Sequence, residues 1–154
     1  MYATLLFVHS ILRWVVLADG VAAAAMAWQG VATGRPWTRV HRILALLFLI
    51  GMDLQLLVGL ALYGHLSPST RLAMADFGAA MKDKTLRFWA VEHPAMMLLA
   101  VILVHVGFRL ARSAPSDAVR HKRVAVLFTI ALVLVLAAVP WPFRAVGRPW
   151  LAMP

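Results

Sequence analysis

The 154-residue chain contains no cysteine. Disulfide bonds, iron–sulfur clusters, thiolate zinc sites and covalently attached haem c are therefore excluded. Acidic residues are also scarce, since 6 Asp and Glu stand against 15 Lys and Arg, which gives a net charge of +9. The basic residues lie in the connections between hydrophobic segments, a placement typical of membrane topology rather than of nucleic-acid binding. No nucleic-acid partner is expected.

Long polar stretches are missing as well, and 63% of the residues are hydrophobic. Four apolar runs each exceed the roughly 18 residues that cross a hydrocarbon core of about 30 Å. The runs occupy residues 4–29, 41–63, 88–111 and 123–141. The sequence therefore predicts an all-α fold in which one integral membrane domain, residues 1–154, forms a four-transmembrane-helix bundle in the lipid bilayer.

The distribution of basic residues predicts the orientation of this bundle. The connections at 30–40 and 112–123 are the richest in Arg relative to acidic residues. By the positive-inside rule both are cytoplasmic, so the two termini and the connection 64–87 lie outside. We therefore expect a multi-pass protein of the bacterial inner (cytoplasmic) membrane with both termini in the periplasm.

The outer connection carries a helical pattern of its own. In SPSTRLAMADFGAAMKDK, residues 67–84, Ser67 or Ser69 can cap a helix whose apolar residues recur at helical spacing. This pattern predicts a short interfacial helix between transmembrane helices 2 and 3, lying along the membrane surface.

Small residues at helical spacing predict which faces of the helices pack together. In lipid, close approach of helices depends on such residues because apolar burial supplies no driving force. The stripes comprise Val16, Gly20, Ala24 and Ala27 on the first helix, Gly51, Gln55 and Gly59 on the second, and Met97, Ala100, Val104, Gly107 and Ala111 on the third.

Polar residues also lie within these segments, most of them in the outer half of the bilayer and Asp53 near its middle. His9 and Arg13 lie on the first helix and Asp53 on the second, with Glu92 and His93 at the start of the third. An Arg or Asp inside the bilayer costs roughly 2.5–3.5 kcal/mol on insertion scales. We therefore expect Arg13 to pair with Asp53 or with Glu92.

Two imidazoles at similar depth on parallel helices suit the axial ligation of a b-type haem, which makes His9 and His93 candidate haem ligands. Arg87, nearer the surface, is a candidate partner for the haem propionates. A quinone head group is a further candidate ligand, which would form hydrogen bonds near Arg13 and Gln55.

Two other interpretations of these histidines stay open. His9, His93 and Glu92 are candidate ligands of a non-haem metal ion, in a metal-binding membrane protein or a metal-dependent enzyme at the outer face. Alternatively, both histidines are internal hydrogen-bonding groups of a non-catalytic accessory subunit in a larger membrane complex. Whether the chain is an enzyme is left undecided by these alternatives.

The remaining histidines predict no second haem site. His105 lies about 120° from His93 around its helix, and His41 is expected at the headgroup level. His121, within the basic stretch RHKR, is expected to face anionic lipid.

Four motifs resemble those of small bacterial four-helix membrane proteins labelled cytochrome b-like. They are VHSILRW (8–14), QLLVGLALY (55–63), RFWAVEHPAMM (87–97) and VPWPF (139–143). The resemblance implies haem binding and electron transfer, with His9 and His93 as the matching histidines. Asp53 stands where that pattern has a histidine, which would remove a ligand from a site of three imidazoles. The favoured function is a b-type haem electron carrier between a quinone and a partner in the membrane or periplasm.

Overall fold

The computed structural model describes residues 1–153, apart from the side chain of His65, so Pro154 of the predicted domain lies outside the described residues. The described chain forms seven α-helices and contains no strand, which confirms the all-α prediction. The helices are α1 (Tyr2–Thr33), α2 (Arg39–Ala61), α3 (Pro68–Ala75), α4 (Phe77–Ala80), α5 (Lys84–Arg87), α6 (His93–Arg112) and α7 (Asp117–Ala138).

Two π-helical segments connect these helices into longer spans. Leu62–Leu66 extends α2, and Phe88–Glu92 joins α5 to α6. Within residues 1–153, four continuous helical spans are long and apolar enough to cross a membrane: Tyr2–Thr33, Arg39–Gly64, Lys84–Arg112 and Asp117–Ala138. The prediction of four helices long and apolar enough to span a membrane is thereby confirmed, and these helices indicate a multi-pass membrane protein.

Local sequence explains where the long helices begin and end. α1 ends at Gly34, whose φ of 65° is left-handed and whose N–H donates to the Gly30 carbonyl. α2 begins at Thr38, where the side chain of His41 accepts a 3.1 Å hydrogen bond from the Thr38 N–H. Ser116 caps α7.

The four spans form a ring in which α1 packs against α2 and α7, while α6 packs against α7 and α2. α1 and α6 are therefore diagonal to each other across the bundle axis. The predicted inward faces are buried, as Val16, Ala27, Gly51, Ala100 and Val104 illustrate.

In the middle of the bundle, two phenylalanine rings pack against each other and against glycine residues. Phe48 and Phe128 are both 0% exposed, and their ring centroids lie 5.2 Å apart at 67°. A Cβ at Gly20 would lie 2.7 Å from the Phe48 ring, and one at Gly107 would lie 3.1 Å from the Phe128 ring. Glycine at both positions lets the helices approach closely around these rings.

The connection between the second and third spans is helical but broken into three pieces. Ser67 caps α3 as predicted, accepting from the Thr70 N–H at 3.4 Å. Asp76 then ends α3 and caps α4, and Asp83 caps α5, each through a carboxylate that accepts a backbone N–H. These two acidic caps divide the predicted single helix.

Candidate functional site

A cavity of about 100 Å³ lies at the end of the bundle where α1 begins and α2 ends. His9 and Arg13 reach it from α1, Gln55 from α2 and His93 from α6. Four of the five predicted cofactor-binding residues are thus brought together. Arg87, the fifth, does not line the cavity.

The two histidines face each other across the bundle axis. The ring centroids of His9 and His93 lie 6.4 Å apart, with the ring planes at 67°. Nδ1 of His93 lies 2.9 Å from the carbonyl oxygen of Ala138, at the end of α7. Because a carbonyl oxygen only accepts, Nδ1 of His93 carries the proton and Nε2 keeps its lone pair. That nitrogen is therefore able to accept a hydrogen bond or to bind a metal.

Three buried polar atoms at the cavity have no hydrogen-bond partner within the described residues. They are Nδ1 of His9, Nε of Arg13 and Oε1 of Gln55. Leaving a buried polar atom unpaired costs about 1–3 kcal/mol, so such atoms are rare in folded proteins. Their concentration around one cavity indicates that the cavity holds a polar ligand or water.

The C-terminal segment, residues 145–153, closes this cavity from outside the bundle. The side chains of Arg13 and Trp14 both donate to the carbonyl oxygen of Trp150, Trp14 at 3.2 Å. The Ala152 N–H donates to the Ser10 hydroxyl at 3.2 Å. No sequence pattern indicates these contacts, because the C-terminal segment makes each of them through a backbone atom.

Positive charge dominates the cavity wall. The guanidinium of Arg148 lies 4.5 Å from the Trp89 ring centroid and donates to the Tyr2 hydroxyl at 3.3 Å. Arg13 lies deeper, and no Asp or Glu of residues 1–153 lines the cavity. The wall therefore favours ligand atoms that carry partial negative charge, such as carbonyl or phenolic oxygens.

The predicted pairing of Arg13 with Asp53 or Glu92 is wrong. Asp53 pairs instead with His105 at 3.5 Å, between α2 and α6, where both side chains are half exposed. Glu92 pairs with Arg87 at 2.7 Å. Nη2 of Arg13 donates instead to the carbonyl oxygen of Trp150 and to the Ser10 hydroxyl, while its Nε has no partner in the described chain.

The ion pair with Arg87 also bears on the predicted metal site, because Glu92 is one of its three predicted ligands. Arg87 donates to Glu92 and, at 3.2 Å, to the carbonyl oxygen of Met81, so both of its contacts are local. Across residues 1–153, no three His, Asp or Glu side chains gather closely enough to hold a metal ion. The structure therefore does not bring Glu92 to His9 and His93.

Replacing Glu92 with Gln tests the role of this carboxylate. The Arg87 and Glu92 side chains are 41% and 40% exposed, so the ion pair contributes at most about 1 kcal/mol. We expect Glu92→Gln to lower the free energy of unfolding by no more than that amount, measured by denaturing titration in mixed micelles. A metal analysis of the same samples would contradict this account if the variant lost a stoichiometric metal ion that the wild type binds.

A second aromatic and histidine cluster, at the opposite end of the bundle, was not predicted. His121 is 0% exposed, and its Nε2 lies 3.1 Å from the carbonyl oxygen of Arg35. The rings of Trp37 and His41 lie 4.9 Å and 4.7 Å from the His121 ring. The expectation that His121 faces anionic lipid is wrong, because Gly30 leaves room for its ring inside the bundle.

The sequence did contain a signal for this burial. His121 begins an apolar stripe at helical spacing, whose other members are Val124, Ala125 and Phe128, all 0% exposed. The basic neighbours in RHKR obscure that stripe, because Arg120, Lys122 and Arg123 surround His121 with charges typical of a solvated surface.

The separation of the two imidazoles is compatible with a b-type haem, but the volume of the cavity is not. Two imidazoles on opposite sides of one metal ion have ring centroids about 6 Å apart, since each metal–nitrogen bond is about 2 Å. The 6.4 Å separation of His9 and His93 agrees with that distance. Pockets for ligands of drug size, however, occupy about 300–1,000 Å³. A cavity of about 100 Å³ has no room for a porphyrin while the C-terminal segment covers it.

Comparison of the chain with protein-family models, with curated proteins and with solved structures finds no match. The function therefore has to be argued from the chemistry of the cavity.

Proposed function

We propose that this chain binds the head group of a membrane quinone between His9 and His93 and takes part in electron transport. The observation that carries this proposal is the meeting of two imidazoles and three unpartnered buried polar atoms at one cavity. A cavity of about 150 Å³ holds benzene in a protein interior. The present cavity is smaller, at about 100 Å³, so the side chains around it have to move apart to take a single substituted ring.

The polar atoms match the hydroxyl groups of the reduced ring, the quinol, since two of them are acceptors and one is a donor. Nε2 of His93 can accept a hydrogen bond from a quinol hydroxyl, because its Nδ1 proton is committed to Ala138. The Nε–H of Arg13 can donate to a quinone or quinol oxygen, and Oε1 of Gln55 can accept from a hydroxyl. Binding would thus satisfy atoms that are otherwise unpaired.

The seam between α2 and α6 offers a route for the isoprenoid tail. Of the four neighbouring pairs of spans, α2 and α6 are packed most sparsely. Gln55 and Gly59 line the cavity from the α2 side of this seam, and His93 and Met97 line it from the α6 side. A tail that leaves through the seam reaches lipid directly, as a membrane-dissolved ligand requires.

The proposed location is the bacterial inner membrane, with the cavity and both termini on the periplasmic side. The arginine-rich connections between α1 and α2 and between α6 and α7 support this orientation. The pair α3 and α4 would lie along the outer membrane surface, since Leu72, Met74 and Phe77 are 63%, 50% and 48% exposed. Such exposed apolar side chains are suited to the lipid interface.

A b-type haem is the second candidate, and the 6.4 Å separation of the two imidazoles favours it. His9 and His93 would be the axial ligands, in agreement with the resemblance to cytochrome b-like proteins. A bound haem would supply one-electron transfer. Under this candidate the C-terminal segment has to move away from Ser10, Arg13 and Trp14 to make room.

Titration of the purified protein with a short-chain benzoquinol, kept reduced, tests the proposal. Trp89 lines the cavity, so the bound ring is expected to quench tryptophan fluorescence in a saturable manner. We expect His93→Gln to weaken binding about tenfold or more, because Nε2 of His93 is the acceptor for a quinol hydroxyl and a lost buried hydrogen-bond partner costs about 1–3 kcal/mol.

His105→Gln is the matched control, since His105 lies on the same helix but outside the cavity. Its titration should follow the wild-type curve. Equal quenching in both variants would show that the quinol merely partitions into the micelle, and the proposal would then fail.

A further inference from the structure

A second concave surface lies at the opposite end of the bundle, roughly 36 Å from His9 as measured along α1. This groove, of about 440 Å³, runs between the start of α2 and the end of α6. Its wall includes four arginines, Arg39, Arg42, Arg112 and Arg120, and no carboxylate of the described chain. So many guanidinium groups around one groove repel one another unless an anion lies among them.

One of the four arginines is already neutralised within the protein. Arg120 donates to the carbonyl oxygen of Ala111 at 2.9 Å and to the carboxylate of Asp117 at 3.0 Å. The same carboxylate accepts the Trp37 N–H at 2.9 Å. The carboxylate of Asp117 is therefore fully engaged.

The positive charges of the other three arginines are unpaired within the described chain. In residues 1–153, the guanidinium groups of Arg39, Arg42 and Arg112 make neither a hydrogen bond nor an ion pair, and all three residues are exposed. Guanidinium is the group best suited to bidentate contact with phosphate oxygens. Three such groups that converge on one groove form a phosphate-binding surface.

The surroundings of the groove indicate that the phosphate belongs to a lipid. Apolar side chains continue from it along the outer faces of α2 and α6 towards the middle of the membrane. Ile43, Leu46 and Leu47 on α2 are 43%, 39% and 45% exposed, and Ile102 and Val106 on α6 are 48% and 41% exposed. Acyl chains can lie on these faces while the phosphate lies in the groove.

We infer that this groove is a binding site for an anionic phospholipid, whose phosphate contacts Arg39, Arg42 and Arg112. A zwitterionic lipid brings its own ammonium group to the phosphate, so it should bind more weakly at a surface with three unpaired positive charges. The site is separate from the histidine cavity and does not depend on the ligand bound there.

Native mass spectrometry of the delipidated protein in detergent tests this inference. The protein is incubated with phosphatidylglycerol, with phosphatidylcholine of the same chain length, or with phosphatidylglycerol in the presence of excess inorganic phosphate. We expect retention of phosphatidylglycerol in preference to phosphatidylcholine, without displacement by inorganic phosphate. Displacement by inorganic phosphate would mean a free-anion site, and equal retention of both lipids would mean no head-group recognition; either result overturns the inference.

The variant Arg39→Gln, Arg42→Gln, Arg112→Gln is expected to bind phosphatidylglycerol about a hundredfold more weakly, from about fivefold for each arginine near a membrane surface. The control variant Arg35→Gln, Arg109→Gln, Lys122→Gln removes the same charge at the same end of the bundle but outside the groove. Its affinity should stay near that of the wild type. An equal loss of affinity in the two variants would mean that binding depends only on net charge, which would overturn the inference.

The single change Arg42→Gln, expected to weaken binding about fivefold, provides the test should the triple variant fold poorly.

Discussion

His9→Leu is expected to abolish quinone binding and, at the same time, to leave the ligand-free protein at least as stable as the wild type. Nδ1 of His9 is buried without a partner in the described chain, and the Gln55 side chain bonds to the backbone carbonyl of His9 rather than to its ring. Leucine removes the unpaired nitrogen and keeps most of the volume. We expect the free energy of unfolding to rise by about 1 kcal/mol, because replacing an unsatisfied buried polar group by an apolar one is neutral or stabilising.

The combination of these two effects distinguishes a binding residue from a structural one. The free energy of unfolding is measured by denaturing titration in mixed micelles, and binding is measured by fluorescence titration with a short-chain quinone. His105→Leu is the control, since it removes the contact with Asp53 outside the cavity and should keep quinone binding. A clear loss of stability in His9→Leu would show that His9 is a structural hydrogen-bonding group, as the accessory-subunit interpretation requires.

Gly30→Ala is expected to destabilise the opposite end of the bundle by about 3 kcal/mol. A Cβ at this position would overlap the ring of His121, which is 0% exposed. The His121 ring cannot move freely, because it is hydrogen-bonded to the carbonyl oxygen of Arg35 and packed against Trp37. Overpacking alone costs about 1–3 kcal/mol, and losing the hydrogen bond to a buried carbonyl adds to that cost.

Gly64→Ala is the matched control for this change. A Cβ at Gly64 meets no atom within 4 Å, so alanine there should be neutral or slightly stabilising. The midpoints of thermal unfolding in detergent, measured for both variants, give the comparison. Similar midpoints for Gly30→Ala and the wild type would mean that His121 does not occupy the space beside Gly30.

The transmembrane spans and their inward faces could be predicted because lipid imposes strict rules on composition. A span needs about 20 apolar residues, and close packing needs small ones, so Gly20, Gly51 and Ala100 identify their faces directly. The same rules explain why His9 and His93 were expected inside the bundle. A polar residue in an apolar run has few stable positions other than the interior.

The partners of those polar residues could not be predicted, because they depend on backbone geometry. Arg13 donates a hydrogen bond to a backbone carbonyl of the C-terminal segment. Every residue has such a carbonyl, so the sequence does not indicate which one is used. Arg87 and Glu92 meet because the chain between them is π-helical, which brings residues five apart onto one side. An ideal α-helical wheel separates these two residues and directs Glu92 elsewhere.

The distinction between haem and quinone also required the structure. Two histidines at matched depth suit either ligand, and the sequence favoured haem on the placement of His9 and His93, to which the resemblance of four motifs was added. The volume of the cavity, about 100 Å³, depends on the course of the C-terminal segment over Ser10 and Arg13. No sequence pattern in residues 145–153 predicts that this segment covers the cavity, because most of the hydrogen bonds that it forms with α1 are made by backbone atoms.

The most direct measurement is the analysis of a solvent extract from freshly purified protein, with an absorption spectrum of the same sample before extraction. The proposal predicts a stoichiometric amount of quinone in the wild-type extract, much less in the extract of His9→Leu, and no haem bands in either spectrum. Sharp bands after dithionite reduction, with haem in stoichiometric amount and no quinone, would contradict it. The cavity would then have to open around a porphyrin held by His9 and His93.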